Sequence, residues 1–136
     1  MAVLVPYDGS RPAQQAVEYA VETFGDRKLV LLRVIEAADG SLEAGVDLLK
    51  ERLREHREEG AAELSDEVVA TLSAVDYEVE TAVGKPAREI VDYTEDNDIE
   101  GIVIGSHGRT GASRVLLGSV AQTVVRRAPT PVTVVR

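Results

Sequence analysis

The chain of 136 residues contains no cysteine, which excludes disulfide bonds and thiolate chemistry and fits a reducing compartment. It lacks any apolar run approaching about 18 residues, so no membrane-spanning helix is expected. The opening "MAVLVPYDGS" has no basic n-region and runs straight into a strand-like segment; no signal peptide is read there, and a cytoplasmic location is expected. A basic surplus is also missing. Against 15 basic residues stand 24 acidic ones, a net charge of −9, whereas nucleic-acid binding wants a basic face. Lysine occurs only at 28, 50 and 85, and aromatic residues make up 4%. An acidic, lysine-poor surface with few aromatics points to a high-salt, halophilic cytoplasm; an ordinary acidic protein kept soluble by self-repulsion is the plainer alternative.

What is present describes a soluble α/β protein. The length suits one domain with a real core, read as residues 1–136, and is too short for two. "AVLVP" (2–6) is apolar throughout, as a strand buried on both faces should be. Ser10 can cap a helix that accommodates Pro12 and carries Ala13, Ala16, Val17, Ala20, Val21 and Phe24 at helical spacing, with Gly25 at C′. "KLVLLRVIEA" (28–37) reads as a second strand. An apolar stripe from Val46 through Leu49, Leu53, Leu64, Val68 and Leu72 to Val75 predicts a long helical reach over about 42–75, charged in its middle and interrupted at Gly60. His56, within it, has no partner in sequence and reads as a surface histidine.

The remainder repeats the alternation. "DYEVETAVG" (76–84) is a third, less buried strand, and "KPAREIVDYTEDND" a short helix. "IEGIVIG" is a fourth strand, "SVAQTVVRRA" a helix stopped by "PTP", and "VTVVR" a fifth strand. The pattern predicts an open parallel five-stranded sheet with helices on both faces.

Ligands of such sheets bind beyond the carboxyl ends of the strands, where the winding reverses. Two loops suit that edge: "PYDGS" after the first strand, and "SHGRTGASRVLLGS" after the fourth. In the order 3-2-1-4-5 they face each other across one crevice. "SVAQ" (119–122) reads as a capping box, with Ser119 capping a helix and Gln122 reaching back. Such a helix start attracts phosphate, and Gly118 leaves room for it. Gly105 and Gly108 would let the chain wrap a ligand, and Arg109 could supply positive charge.

Competing motifs fail. No "GK[ST]" closes a P-loop, since "GKP" at 84–86 does not qualify, and the first turn holds only Gly9 rather than a dinucleotide fingerprint. Adjacent Ser106 and His107 do not make a nucleophile–base pair, and no G-x-S-x-G elbow exists. Asp8 could act as a general base, hold a ligand hydroxyl or cap the next turn. No partner group favours acid–base chemistry, so no catalytic residue is assigned.

The chain resembles the universal stress proteins. Gly105-x-x-Gly108, nine residues, then Gly118-Ser119 matches that family's ATP-binding signature without departure, and "VPYDGS" and "RRAPTPVTVVR" match as well, so the similarity spans nearly the whole chain. The resemblance implies the family's 3-2-1-4-5 sheet, with ATP across the crevice between strands one and four. Pro6, Tyr7 and Asp8, with neighbouring Gly9 and Ser10, then belong to the adenosine side, and Val34 to the adenine contact. Ile104, Gly105 and Gly108, with Arg109, belong to the ribose and phosphate loop. Gly118, Ser119 and Val120 belong to the triphosphate end, with Mg²⁺ or Mn²⁺ as companion; no side-chain metal ligands are assigned. It also implies a homodimer through the last strand, residues 131–136, a flat apolar edge that is otherwise an aggregation hazard.

Three readings follow. One is an ATP-binding regulatory dimer with little or no turnover; the second is a slow metal-assisted ATPase using Asp8; the third is a nucleotide-independent interaction module. The intact signature disfavours the third, and the absence of an obvious base favours binding over turnover.

Overall fold

The computed structural model describes residues 1–36, 64–106 and 118–136. Its strands β1 (Ala2–Pro6), β2 (Lys28–Ile35), β3 (Tyr77–Val83), β4 (Ile99–Gly105) and β5 (Val132–Val135) form one parallel sheet in the order β3-β2-β1-β4-β5. That is the expected strand order. Helices α1 (Arg11–Phe24), α2 (Asp66–Leu72), α3 (Pro86–Asp96) and α4 (Ser119–Arg127) alternate with the strands. Among the described residues, no helix is long and apolar enough to cross a membrane.

The continuous apolar runs become the middle of the sheet because both of their faces are covered. Val3, Val5, Leu29 and Leu31 face α1 and α2, while Leu4, Val30, Leu32, Ile102 and Ile104 belong to the core under α3 and α4. Each fully buried leucine, such as Leu4 or Leu31, contributes about 2 kcal/mol of transfer free energy. The chain steps outward from β1 through β2 to β3, then returns to the centre and steps the other way through β4 and β5. Helices α1 and α4, which follow the adjacent strands β1 and β4, therefore pack on opposite faces of the sheet, the arrangement that leaves a crevice at the strands' carboxyl ends.

Local structure differs from expectation at three points. The apolar stripe does not carry one helix through residue 75: Ser65 is extended (φ −64°, ψ 154°), and its hydroxyl accepts the Val68 N–H at 3.3 Å, starting the separate helix α2. Leu64 lies before that cap and packs on the core as turn, because capping outweighs periodicity there. Gly25 is a right-handed C-cap (φ −66°) rather than a left-handed C′ residue; a turn closed by Arg27 N–H to Phe24 C=O at 3.0 Å serves instead. Ser119 is the first helical residue of α4, not its cap. Gly118 takes the N-cap in an extended conformation, with no side-chain cap bond. The rest of the long stripe, with Val46, Leu49, Leu53, His56 and Gly60, lies outside the described residues.

Candidate functional site

The carboxyl edge of the sheet opens into a crevice of about 680 Å³. Pro6, Tyr7 and Asp8 wall it from the end of β1, and Val34 from the end of β2. Ile104, Gly105 and Ser106 enter from β4, and Gly118, Ser119 and Val120 from the start of α4. The first loop and the two described ends of the second thus meet at one site. Gly108, Arg109 and His107 lie outside the described residues.

The β1 loop is held by its own side chains. Tyr7 N–H continues the sheet to the Leu32 carbonyl at 2.9 Å. Asp8 Oδ1 then accepts the Ser10 N–H at 2.9 Å, and Ser10 Oγ accepts the Ala13 N–H at 3.3 Å, which caps α1. Gly9 between them has φ +81°, a left-handed conformation that only glycine takes without strain. Gly9 is exposed and is not part of the crevice wall; its work is the turn. Of the roles open to Asp8, the turn-holding one is present in the structure.

Across the crevice, the glycine of Gly105 is explained by chain, not ligand. A Cβ there would lie 2.8 Å from the carbonyl carbon and oxygen of Pro12, so the first turn of α1 can rest on the end of β4 only if that residue has no side chain. Ser106, buried at 6% exposure, donates its N–H to the Val135 carbonyl at 2.8 Å. Its own carbonyl accepts the Gly118 N–H, which brings the two ends of segment 107–117 together and sets the start of α4 against the crevice.

That helix start is the chemically active feature. The first intrahelical bond of α4 runs from Gln122 N–H to the Gly118 carbonyl at 3.0 Å. The N–H groups of Ser119, Val120 and Ala121 therefore have no intrahelical acceptor, and the helix dipole adds positive potential at the same point. All three residues line the crevice. Along the sequence all 24 acidic residues lie within 1–100, while 101–136 carries five arginines and no carboxylate side chain; of these, Arg126 and Arg127 sit in the last turn of α4, away from the helix start.

The opposite end of the crevice is different. Val34, Ile35, Pro86 and Ile90 make it apolar, and Asp8, Arg33 and Glu36 bring charge to its rim. Burial pushes the Tyr7 phenol above its usual value; a hydrogen bond with Gln14 opposes that, Asp8 adds to it, and Arg33 opposes it. Tyr7 is accordingly a neutral hydroxyl at physiological pH. Strands β2 and β4, whose ends border the two ends of the crevice, are two steps apart in the sheet, about 10 Å.

Several lining residues were not singled out in the sequence, Arg33, Pro86 and Ile90 among them, and Ser106 was considered there only as a nucleophile and set aside. Arg33 carried a readable signal, as the one charge in the apolar run Leu29–Ile35. Pro86 and Ile90 reach the site only because β3 pairs outside β2, which carries α3 across that end. Among the described residues no group of three or more His, Cys, Asp or Glu side chains is arranged for a metal ion.

The sequence profile of the universal stress protein family matches residues 1–136. This chain belongs to that family. Universal stress protein MJ0577 of Methanocaldococcus jannaschii is 31% identical over 98% of this chain and 93% of its own length. Its solved structure superimposes with a TM-score of 0.77, covering 98% of this chain and 94% of that one. Universal stress protein UspA from Lactobacillus plantarum is 30% identical, with a TM-score of 0.76 over 100% of this chain and 97% of its own. A universal stress protein solved in complex with cAMP is 25% identical, with a TM-score of 0.66 over 100% of this chain and 97% of its own. This universal stress protein thus shares its α/β fold with those proteins end to end.

Proposed function

We propose that this universal stress protein is a single-domain, ATP-binding regulatory protein that acts as a homodimer with little or no turnover. The observation that carries the reading is the crevice with two unlike ends, an apolar wall at β2 and α3 and an unsatisfied helix start at α4. A purine fits the first and phosphates the second. The cAMP complex of a relative with the same fold supports an adenine nucleotide as the class of ligand.

In this reading Val34, Pro6 and Tyr7 border the nucleoside, Ile104 and the following loop with Gly108 and Arg109 border the sugar and phosphates, and Gly118, Ser119 and Val120 receive the outer phosphates through backbone N–H groups. Mg²⁺ or Mn²⁺ would be held by phosphate oxygens and water, with no side-chain ligand assigned. Asp8 is already engaged in the turn through Ser10, which favours binding over catalysis by that carboxylate.

The dimer reading rests on the contrast between the two sheet edges. β3 carries Glu78 and Glu80, whereas β5 carries Val132, Thr133, Val134 and Val135 without a charged side chain. Pairing two copies through β5 avoids facing carboxylates and covers an apolar edge.

Calorimetric titration with ATP and with adenosine tests the nucleotide reading. The expected result is one ATP per chain, bound at least about tenfold more tightly than adenosine because the helix start engages the phosphates. Absence of heat and of thermal stabilisation with ATP overturns it.

A further inference from the structure

We infer that phosphate binding at the start of α4 tightens the pairing of a second copy on β5, with Ser106 as the residue that joins the two. The inference rests on the nucleotide and dimer readings above and adds a regulation to them: occupancy of the crevice sets the strength of the interface.

Ser106 follows β4 and is used on both sides. Its N–H donates to the Val135 carbonyl at 2.8 Å, the last rung between β4 and β5, and its carbonyl accepts the Gly118 N–H. Gly118 is the N-cap of α4. The helix start that offers free N–H groups is thus bonded to the residue that closes the edge strand. Ser106 is buried and lines the crevice. Gly105, just before it, rests against Pro12 with no room for a side chain. The end of β4 is fixed on that side by α1, so a shift of the α4 start is passed on at Ser106 rather than absorbed by the strand.

The far side of the rung is the sheet edge. A peptide group is planar and trans, so its C=O and N–H point in opposite directions. The Val135 carbonyl points at β4, which turns the Arg136 N–H of the same peptide group outward, into the row that a second copy meets. Strand β5 is four residues long, each half-buried, and among the described residues it has a neighbouring strand on one side only. Poorly covered strand ends open locally at little cost. A phosphate held by the N–H groups of Ser119, Val120 and Ala121 fixes Gly118 and, through it, Ser106 and the last rung. The Val135–Arg136 group is then already ordered when the second copy arrives. A first ligand that orders what a second must order gives positive cooperativity with no change of fold. By linkage, the second copy strengthens nucleotide binding in return.

The test measures the dimer dissociation constant of the full chain by sedimentation over a dilution series. It is run without ligand, with saturating Mg·ATP and with saturating adenosine, and calorimetry verifies occupancy. ATP is expected to tighten the dimer at least about tenfold, within the usual range of coupling between two sites. Adenosine lacks the groups that reach α4 and should leave the constant unchanged. Reciprocity supplies a second measurement. Two chains share the effect, so each should bind ATP at least about threefold more tightly in the dimer than in a Val134→Pro monomer. In that monomer, hydrogen exchange of the Ser106 amide should slow with ATP and not with adenosine. Should Val134→Pro fail to fold, the wild-type dilution series decides alone. A dimer constant that is the same with ATP bound as without, or that adenosine tightens equally, overturns this inference only. A chain that takes up no ATP overturns the nucleotide reading, and one that stays monomeric at every concentration overturns the dimer reading.

Discussion

Gly105 and Pro12 touch so closely that any side chain on Gly105 would stand 2.8 Å from the Pro12 carbonyl oxygen. The contact seats the first turn of α1 on the end of β4 and thereby fixes the distance between the two loops of the crevice. Gly105→Ala is therefore expected to destabilise the nucleotide-free protein by about 1–3 kcal/mol through overpacking. Urea unfolding measures it. Wild-type stability in that variant would mean that the glycine serves a ligand after all.

Gly118 gives the opposite expectation. Its φ of −63° is open to any residue, so Gly118→Val should fold, with only a modest loss at the helix cap. A branched side chain at the helix start would crowd an incoming phosphate. ATP affinity should fall at least about tenfold while adenosine affinity is nearly unchanged, the loss of a phosphate contact worth about 1.4 kcal/mol or more. Equal ATP binding in the variant removes the phosphate site from α4.

The dimer prediction follows from strand geometry. The carbonyls of Pro131 and Val135 point at β4, so the N–H and C=O of Val134 point outward from the sheet edge. Val134→Pro removes an outward donor without breaking the ladder to β4, a substitution that sheet edges tolerate. Sedimentation should show a folded monomer for the variant and a dimer for the wild-type chain. A dimeric variant would move the interface elsewhere.

Glu89 supplies a pH signature. Its carboxylate lies over Gly84, whose φ is +153°, and burial raises its pKa above 4.5, with Asp92 adding and Arg88 opposing. A raised folded-state value means that the group's contribution to stability is fully present below the unfolded pKa and is lost as pH rises through the folded one. The ionised form is thus the disfavoured one in the folded state. Glu89→Gln should raise the melting temperature at pH 7, and the advantage should vanish below about pH 4. A variant less stable than wild type at pH 7 would show that the carboxylate's favourable position in the first turn of α3 outweighs its burial.

Much of the fold was legible because the central strands are covered on both faces and so read as continuous apolar runs. "AVLVP", "LVLLRVI" and "IEGIVIG" all became strands at their expected places. Their order came from family resemblance rather than periodicity, since side-chain patterns do not say which strands are neighbours. Periodicity also ran past Ser65, where a single hydroxyl bond to Val68 N–H ends the stripe's claim to one helix. At the site, the glycine cluster drew attention to Gly105 and Gly118, both of which line the crevice, but could not distinguish their roles. Gly105 is required by Pro12, a contact between distant parts of the chain that no local pattern reveals. Arg33 was visible as a charge inside an apolar strand, yet only the register with β1 brings it beside Tyr7 and Asp8.

The central claim is that the crevice holds an adenine nucleotide. It is tested most directly by purifying the protein at high salt with no nucleotide added, denaturing it, and identifying what is released by chromatography and mass. The account predicts ATP or another adenine nucleotide, approaching one per chain. A protein that releases nothing and also fails to take up added Mg·ATP contradicts it.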